Sequence, residues 1–238
     1  NNLGISGTAG TAYTITYSAT YGGSALTVAT QSVTPTVGAA TQISITTQPA
    51  GGTAGALLAT QPVVKVLDSG NNIVTSSSAS IDVSASGGTL GGTTSISASS
   101  GVATFTDLTF AGTANTNYTL TFAATGYTSQ TSSSFSVGVG AATKLVLTTS
   151  AATAKYGQAF ATQPVVQVQD AGSNVVTSSS AVVTASLSSG TVVGTGNATA
   201  SSGVATFSGL GITGGPGSYT VTYSSGSLTT ASQVITVG

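Results

Sequence analysis

The chain has 238 residues, 39% hydrophobic and only 3% charged: three lysines and four aspartates, with no arginine, glutamate, histidine or cysteine, and a net charge of −1. Ordinary soluble domains carry about 25% charged residues. This composition therefore excludes nucleic-acid binding by counterion release, disulfides, thiolate metal sites and thiol redox chemistry, and no run of about 18 apolar residues is present to insert in a membrane.

Residues 1–38 open on Leu3-Gly4-Ile5 and then Tyr13-Thr14-Ile15-Thr16-Tyr17, an alternation of apolar and polar side chains that predicts a half-buried strand. The same pattern returns as Leu108-Thr109-Phe110 with Tyr118-Thr119-Leu120-Thr121-Phe122, and as Leu210-Gly211-Ile212 with Tyr219-Thr220-Val221-Thr222-Tyr223. Residues 1–38 thus read as the closing third of a repeat. A remnant of two strands is rarely stable alone, so it is expected to be an excerpt of a longer array or to be covered by a neighbouring molecule.

A full copy over 39–140 and another over 141–238 follow. Ala59-Thr60-Gln61-Pro62-Val63-Val64 recurs at 161–166, Val74-Thr75-Ser76-Ser77-Ser78-Ala79 at 176–181 and Ser99-Ser100-Gly101-Val102-Ala103-Thr104-Phe105 at 201–207, each 102 residues on. Within the copies Ile43 and Ile45, Val64 and Val66, and Ile81, Val83 and Ala85 alternate with polar residues. Outward positions change freely between copies, Lys65 becoming Gln167 and Asp82 becoming Thr184. Pro62 and Pro164 are placed at the first residue of a strand, where a missing N–H is tolerated. Asp68-Ser69-Gly70-Asn71 and Asp170-Ala171-Gly172-Ser173-Asn174 are predicted turns in which Asp bonds local amides and Gly supplies a positive φ. About seven short antiparallel strands per 100 residues predict an all-β protein of tandem immunoglobulin-like β-sandwich domains. In that frame Tyr13, Tyr118 and Tyr219 are tyrosine-corner candidates, each hydroxyl bonded to nearby backbone.

The run Gln-Pro-Val-Val-x-Val-x-Asp-x-Gly-x-Asn, then Ser-Ser-Gly-Val-Ala-Thr-Phe, then Tyr-Thr-x-Thr-[Phe/Tyr], resembles the bacterial immunoglobulin-like repeats of secreted and surface proteins, including the invasin and intimin type. The resemblance covers nearly the whole chain. It implies an extracellular, cell-surface location and a structural or adhesive role, and it carries over no catalytic residue.

Chemistry-bearing residues are few. With no histidine, a nucleophilic Ser or Thr has no ordinary base. A Ser–Lys dyad is undercut because Lys65 and Lys144 are replaced by Gln167 and Gln42 in the other copy, and Lys155 aligns with Thr53. The four aspartates are scattered, so no enzyme and no cofactor are expected. Asp68 and Asp170 are weak calcium candidates: each turn offers one carboxylate where calcium takes six to eight oxygens, and the turn-forming role is favoured. Asn117-Tyr118-Thr119 and Asn197-Ala198-Thr199 fit the N-glycosylation pattern, making Asn117 and Asn197 candidate acceptors. Tyr21, Tyr127 and Tyr156 look free to meet a sugar.

The sequence therefore predicts a repeat array forming the shaft of an extracellular filament or surface adhesin. Short Gly-Ala-Ala-Thr junctions, at Gly38 and Gly140, are expected to keep neighbours close. Near-zero net charge favours self-association, so the expected partners are other repeats or copies, together with a cell-surface or glycan ligand. Two alternatives stand beside it: a stalk presenting a separate binding tip, and a carbohydrate-binding accessory module.

Overall fold

The computed structural model describes residues 3–238; Asn1 and Asn2, the start of the leading segment, lie outside the described residues. It is all-β, with 24 strands and no helix among the described residues. The fold is that of immunoglobulin-like antiparallel β-sandwiches in tandem.

Between residues 40 and 137 a three-stranded sheet, in the order Val102–Thr104, Val63–Leu67 and Gln42–Thr47, faces a four-stranded sheet. The order in the second sheet is Ser95–Ser97, Ser80–Ala85, Leu120–Ala123, Gln130–Thr131. Alternation decides which side chains meet. Ile43 lies opposite Val66 and Ile45 opposite Val64 in one sheet, and Val83 lies opposite Phe122 in the other. The faces close on each other through Phe105 and Phe122, whose ring centroids are 5.6 Å apart. Residues 142–237 repeat the arrangement with a separate core, in which Phe207 meets Tyr223 at 5.5 Å.

Each full copy contains ten strands, where the sequence pattern predicted about seven. The additional ones form a small third sheet, Ala56–Leu57, Thr109–Ala111 and Thr89–Gly91, with Gln158–Ala159, Gly211–Thr213 and Thr191–Val193 as counterparts. Strands of two or three residues are too short to display a period. This sheet carries Phe110 onto Tyr118 and Phe135, with centroids at 4.7 and 5.2 Å. The two prolines stand one residue ahead of the strands, which begin at Val63 and Val165. Their carbonyls accept the N–H of Phe105 and Phe207, both at 3.1 Å, so the missing proline N–H costs no ladder bond.

In the leading segment Tyr13–Tyr17 pairs antiparallel with Ala29–Val33, beside a small hairpin of Thr20–Tyr21 and Ser24–Ala25. In the later copies the corresponding strand is flanked on its other side as well, by Ser80–Ala85 or Val182–Leu187. Here no strand among the described residues pairs with that edge. Leu3 is 75% exposed, whereas its counterparts Leu108 and Leu210 are buried.

Candidate functional site

The turns at Asp68 and Asp170 sit where one repeat meets the preceding one, and both build the same joint. The Asp68 carboxylate accepts from the backbone N–H of Gly70 and Asn72 at Oδ1 (2.8 and 2.9 Å) and from the N–H of Gly38, in the junction, at Oδ2 (2.8 Å). It also accepts from the Asn72 side-chain amide at 3.1 Å to each oxygen. Held this way, Asn72 reaches back across the junction: its Nδ2 donates to the Gly7 carbonyl at 2.9 Å, and its Oδ1 accepts the Ala9 N–H at 2.8 Å. The second joint repeats these contacts. Asp170 accepts from Gly140 N–H at 2.7 Å and from Asn174 N–H at 2.9 Å, while Asn174 donates to Gly112 O at 3.0 Å and accepts from Ala114 N–H at 2.8 Å. A primary amide offers two N–H donors and one carbonyl acceptor, and here each finds a partner.

The glycine of each turn has a different reason from the one the sequence suggested. Positive φ falls on the next residue, Asn71 at 63° and Ser173 at 65°, and not on Gly70 or Gly172. The glycines are required by proximity. A Cβ on Gly70 would lie 2.7 Å from the Gly7 carbonyl oxygen, and one on Gly172 would lie 2.1 Å from that of Gly112.

Hydrogen bonding sets the charge state of the joint. The Gly38 and Asn72 amides lower Asp68 to a pKa of about 2, against an ordinary 3.8. At Asp170 burial pushes the carboxyl upward, but the bonds from Gly140 and Asn174 outweigh it and the net shift is downward. Both carboxylates have their lone pairs aimed at N–H donors, an arrangement for tying backbone together rather than for caging a cation. No group of three or more His, Cys, Asp or Glu residues comes together among the described residues.

The tyrosines at 13, 118 and 219 brace the loops on which the joints rest. Tyr13 accepts the Thr8 N–H and Tyr118 the Thr113 N–H, each at 2.9 Å, so the residue between the two joint contacts is itself pinned. Tyr219 behaves differently, its hydroxyl donating to the Gly215 carbonyl at 2.7 Å. Lys144 donates to the exposed Ser173 hydroxyl at 2.8 Å. Gln42 makes the same strand-to-turn tie to Asn71 at 2.9 Å in the other copy, so both positions change together and the tie survives. Asn117 lies exposed ahead of Tyr118, and Asn197 is exposed at the start of Asn197–Thr199. Tyr21 and Tyr156 are exposed at 82% and 66%. Tyr127, expected to be free, instead packs against the second repeat's core.

Asn72 and Asn174 close the Asp-x-Gly-x-Asn run, where in sequence they read only as part of a turn; their reach across the junction, and the loops at Gly7 and Gly112, were not singled out. The signal was there: Gly7-Thr8-Ala9 recurs as Gly112-Thr113-Ala114, and the asparagine follows its aspartate by four residues in both turns.

No family model matches the chain, and no curated relative matches it. Among solved structures it is similar to the D00-D0 domain of intimin, at 13% identity over 83% of this chain and 98% of that one, with a TM-score of 0.36. It is similar to the Yersinia pseudotuberculosis adhesin InvE, at 20% identity over 82% of this chain and 58% of that one, with a TM-score of 0.34. A Parabacteroides merdae β-glucuronidase overlaps at 13% identity over 82% of this chain, with a TM-score of 0.32; the chain spans about a quarter of that enzyme's length. Overlaps this loose carry no argument about function.

Proposed function

We propose that this chain is a spacer, the repeating shaft of an extracellular filament or surface adhesin, and that it carries no catalytic activity. The observation behind this reading is the joint made twice with the same residue types, Asp68 and Asn72 onto Gly7 and Ala9, then Asp170 and Asn174 onto Gly112 and Ala114. A single binding domain has no use for a joint that repeats. A rod does, because its reach depends on every joint resisting bending. The sparse charge fits this role, leaving a surface that salt barely alters. Small-angle scattering tests the reading: the chain should give the distance distribution of an extended rod, and the N72A/N174A double variant a shorter, broader one. A compact or variable particle from the unaltered chain would sink it.

Lateral association belongs to the same proposal, drawn from the near-neutral surface. Light scattering across concentrations decides it, and a monomer throughout removes it. The carbohydrate-binding reading rests on the exposed Tyr21 and Tyr156. These belong to different repeats, and a glycan array on which nothing binds would end it.

A further inference from the structure

Each joint needs a turn from one repeat and a seat from the repeat before it. In the first two seats glycine gives its carbonyl to the asparagine and alanine gives its N–H, with a threonine N–H between them bound to the corner tyrosine. The third repeat has a loop at the same place. Thr213 lies opposite Thr191 as Ala111 lies opposite Thr89, so Gly214, Gly215 and Pro216 stand where Gly112, Thr113 and Ala114 stand. Pro216 has no N–H to give. The loop is also one residue shorter, since Tyr118 follows Gly112 by six positions and Tyr219 follows Gly214 by five. Tyr219 still packs on its glycine, where a Cβ on Gly214 would lie 2.2 Å from the hydroxyl. Its hydroxyl donates to Gly215 rather than accepting an N–H. The corner is kept and the seat is lost.

We propose that the loop 214–218 is a swivel: a repeat of this kind placed after it is tethered by the chain but not clasped, so bending concentrates at that joint. An asparagine brought against Pro216 loses one hydrogen bond and leaves its Oδ1 facing a ring with no donor, which is worse than losing the bond alone. The inference rests on the geometry of the joint and not on the shaft function; an adhesin arm or an accessory module would contain the same swivel.

Two experiments test it. In the first, the segment 139–238 is repeated after Gly238, which reproduces the Gly138-Val139-Gly140 spacing at a new joint. The side-chain amide of that joint's asparagine should exchange with solvent about tenfold or more faster than that of Asn174 seated on Gly112 in the same molecule, tenfold corresponding to one lost hydrogen bond. Replacing the loop 214–218 by a copy of 112–117 should abolish the difference and lengthen the particle in small-angle scattering. Equal protection at the two joints with the original loop would overturn the proposal. In the second, Ala114→Pro in the 238-residue chain should expose the Asn174 side-chain amide while core amides at Val66 and Val168 stay protected. An Asn174 side-chain amide as protected as before would overturn it equally.

Discussion

The backbone N–H of Ala114 donates to Oδ1 of Asn174 at 2.8 Å, across 60 residues of sequence and from one repeat to the next. The same side chain holds the Gly112 carbonyl at 3.0 Å. Hydrogen bonds of this kind are worth about 0.5–1.5 kcal/mol each, so Asn174→Ala should weaken the coupling between repeats by roughly 1–3 kcal/mol. The core of residues 142–237 does not contain Asn174. Urea unfolding should therefore separate into less cooperative steps with the last repeat nearly as stable as before. One unchanged transition would show that the repeats are coupled elsewhere.

Gly172→Ala attacks the same joint by a different route. Its φ is not in the left-handed region, so alanine is not strained by its own backbone. The added methyl instead lies 2.1 Å from the Gly112 carbonyl oxygen and must push the two repeats apart. Scattering should report a bent or broadened particle, and heat denaturation should leave the midpoint of the isolated core transition close to its original value.

The joint should fail in acid over a defined range. A carboxylate whose folded pKa lies below its ordinary value stabilises the folded arrangement above that ordinary value and loses the contribution as pH falls through the folded one. For Asp68 this means full strength above about pH 4 and loss as pH falls towards 2. Asp170, also lowered, weakens in the same direction. Amide exchange at Gly38 and Gly140 followed from pH 7 to 2 should be flat, after correction for intrinsic rates, until below about pH 4. Loosening near pH 6 would mean that other groups control the joint.

The sandwich was legible because burial imposes a period of two on Val64 and Val66 or Val183 and Ala185, and because two copies of the sequence separate inward from outward positions. The joint was less so. Asp68 reads locally as a turn former, and its local contacts to Gly70 and Asn72 are those of a turn. Nothing in the turn announces that Asn72 will contact residue 7. That relation appears only when the loops at Gly7, Gly112 and Gly214 are compared, where Pro216 breaks the agreement. The third sheet escaped because strands of two or three residues hold only about one period of alternation, too little to stand out.

The Ala-Thr-Gln-Pro-Val-Val motif contains a second tie that its pattern does not reveal. Gln61 donates to the Leu108 carbonyl at 2.9 Å and accepts the Leu108 N–H at 3.1 Å, and Gln163 does the same to Leu210 at 3.0 and 2.9 Å. The side-chain amide acts as one more rung beside the backbone bonds that Leu58 and Phe160 give to the same carbonyls, at 2.9 and 2.8 Å. Gln61→Ala leaves the N–H of the buried Leu108 unmet, at about 1–3 kcal/mol, while its carbonyl keeps the Leu58 N–H at 2.9 Å. The midpoint of the second repeat should fall by several degrees, while Gln61→Glu recovers the N–H contact and loses the other.

Tyr223 offers the clearest case of a side chain working against stability. Its hydroxyl is the buried side-chain polar atom without a partner among the described residues, and burial pushes its ionisation to higher pH. The equivalent position in the preceding repeat is Phe122, packed on Phe105 as Tyr223 is on Phe207. Phenylalanine therefore already fits this core. Removing an unmet hydroxyl should return about 1–2 kcal/mol, within the usual range for such groups. Tyr223→Phe should raise the midpoint of the last repeat, and Phe122→Tyr should lower that of the second. If Tyr223→Phe lowers the midpoint instead, the hydroxyl has a partner, a buried water being the simplest, and the two cores differ more than their side chains suggest.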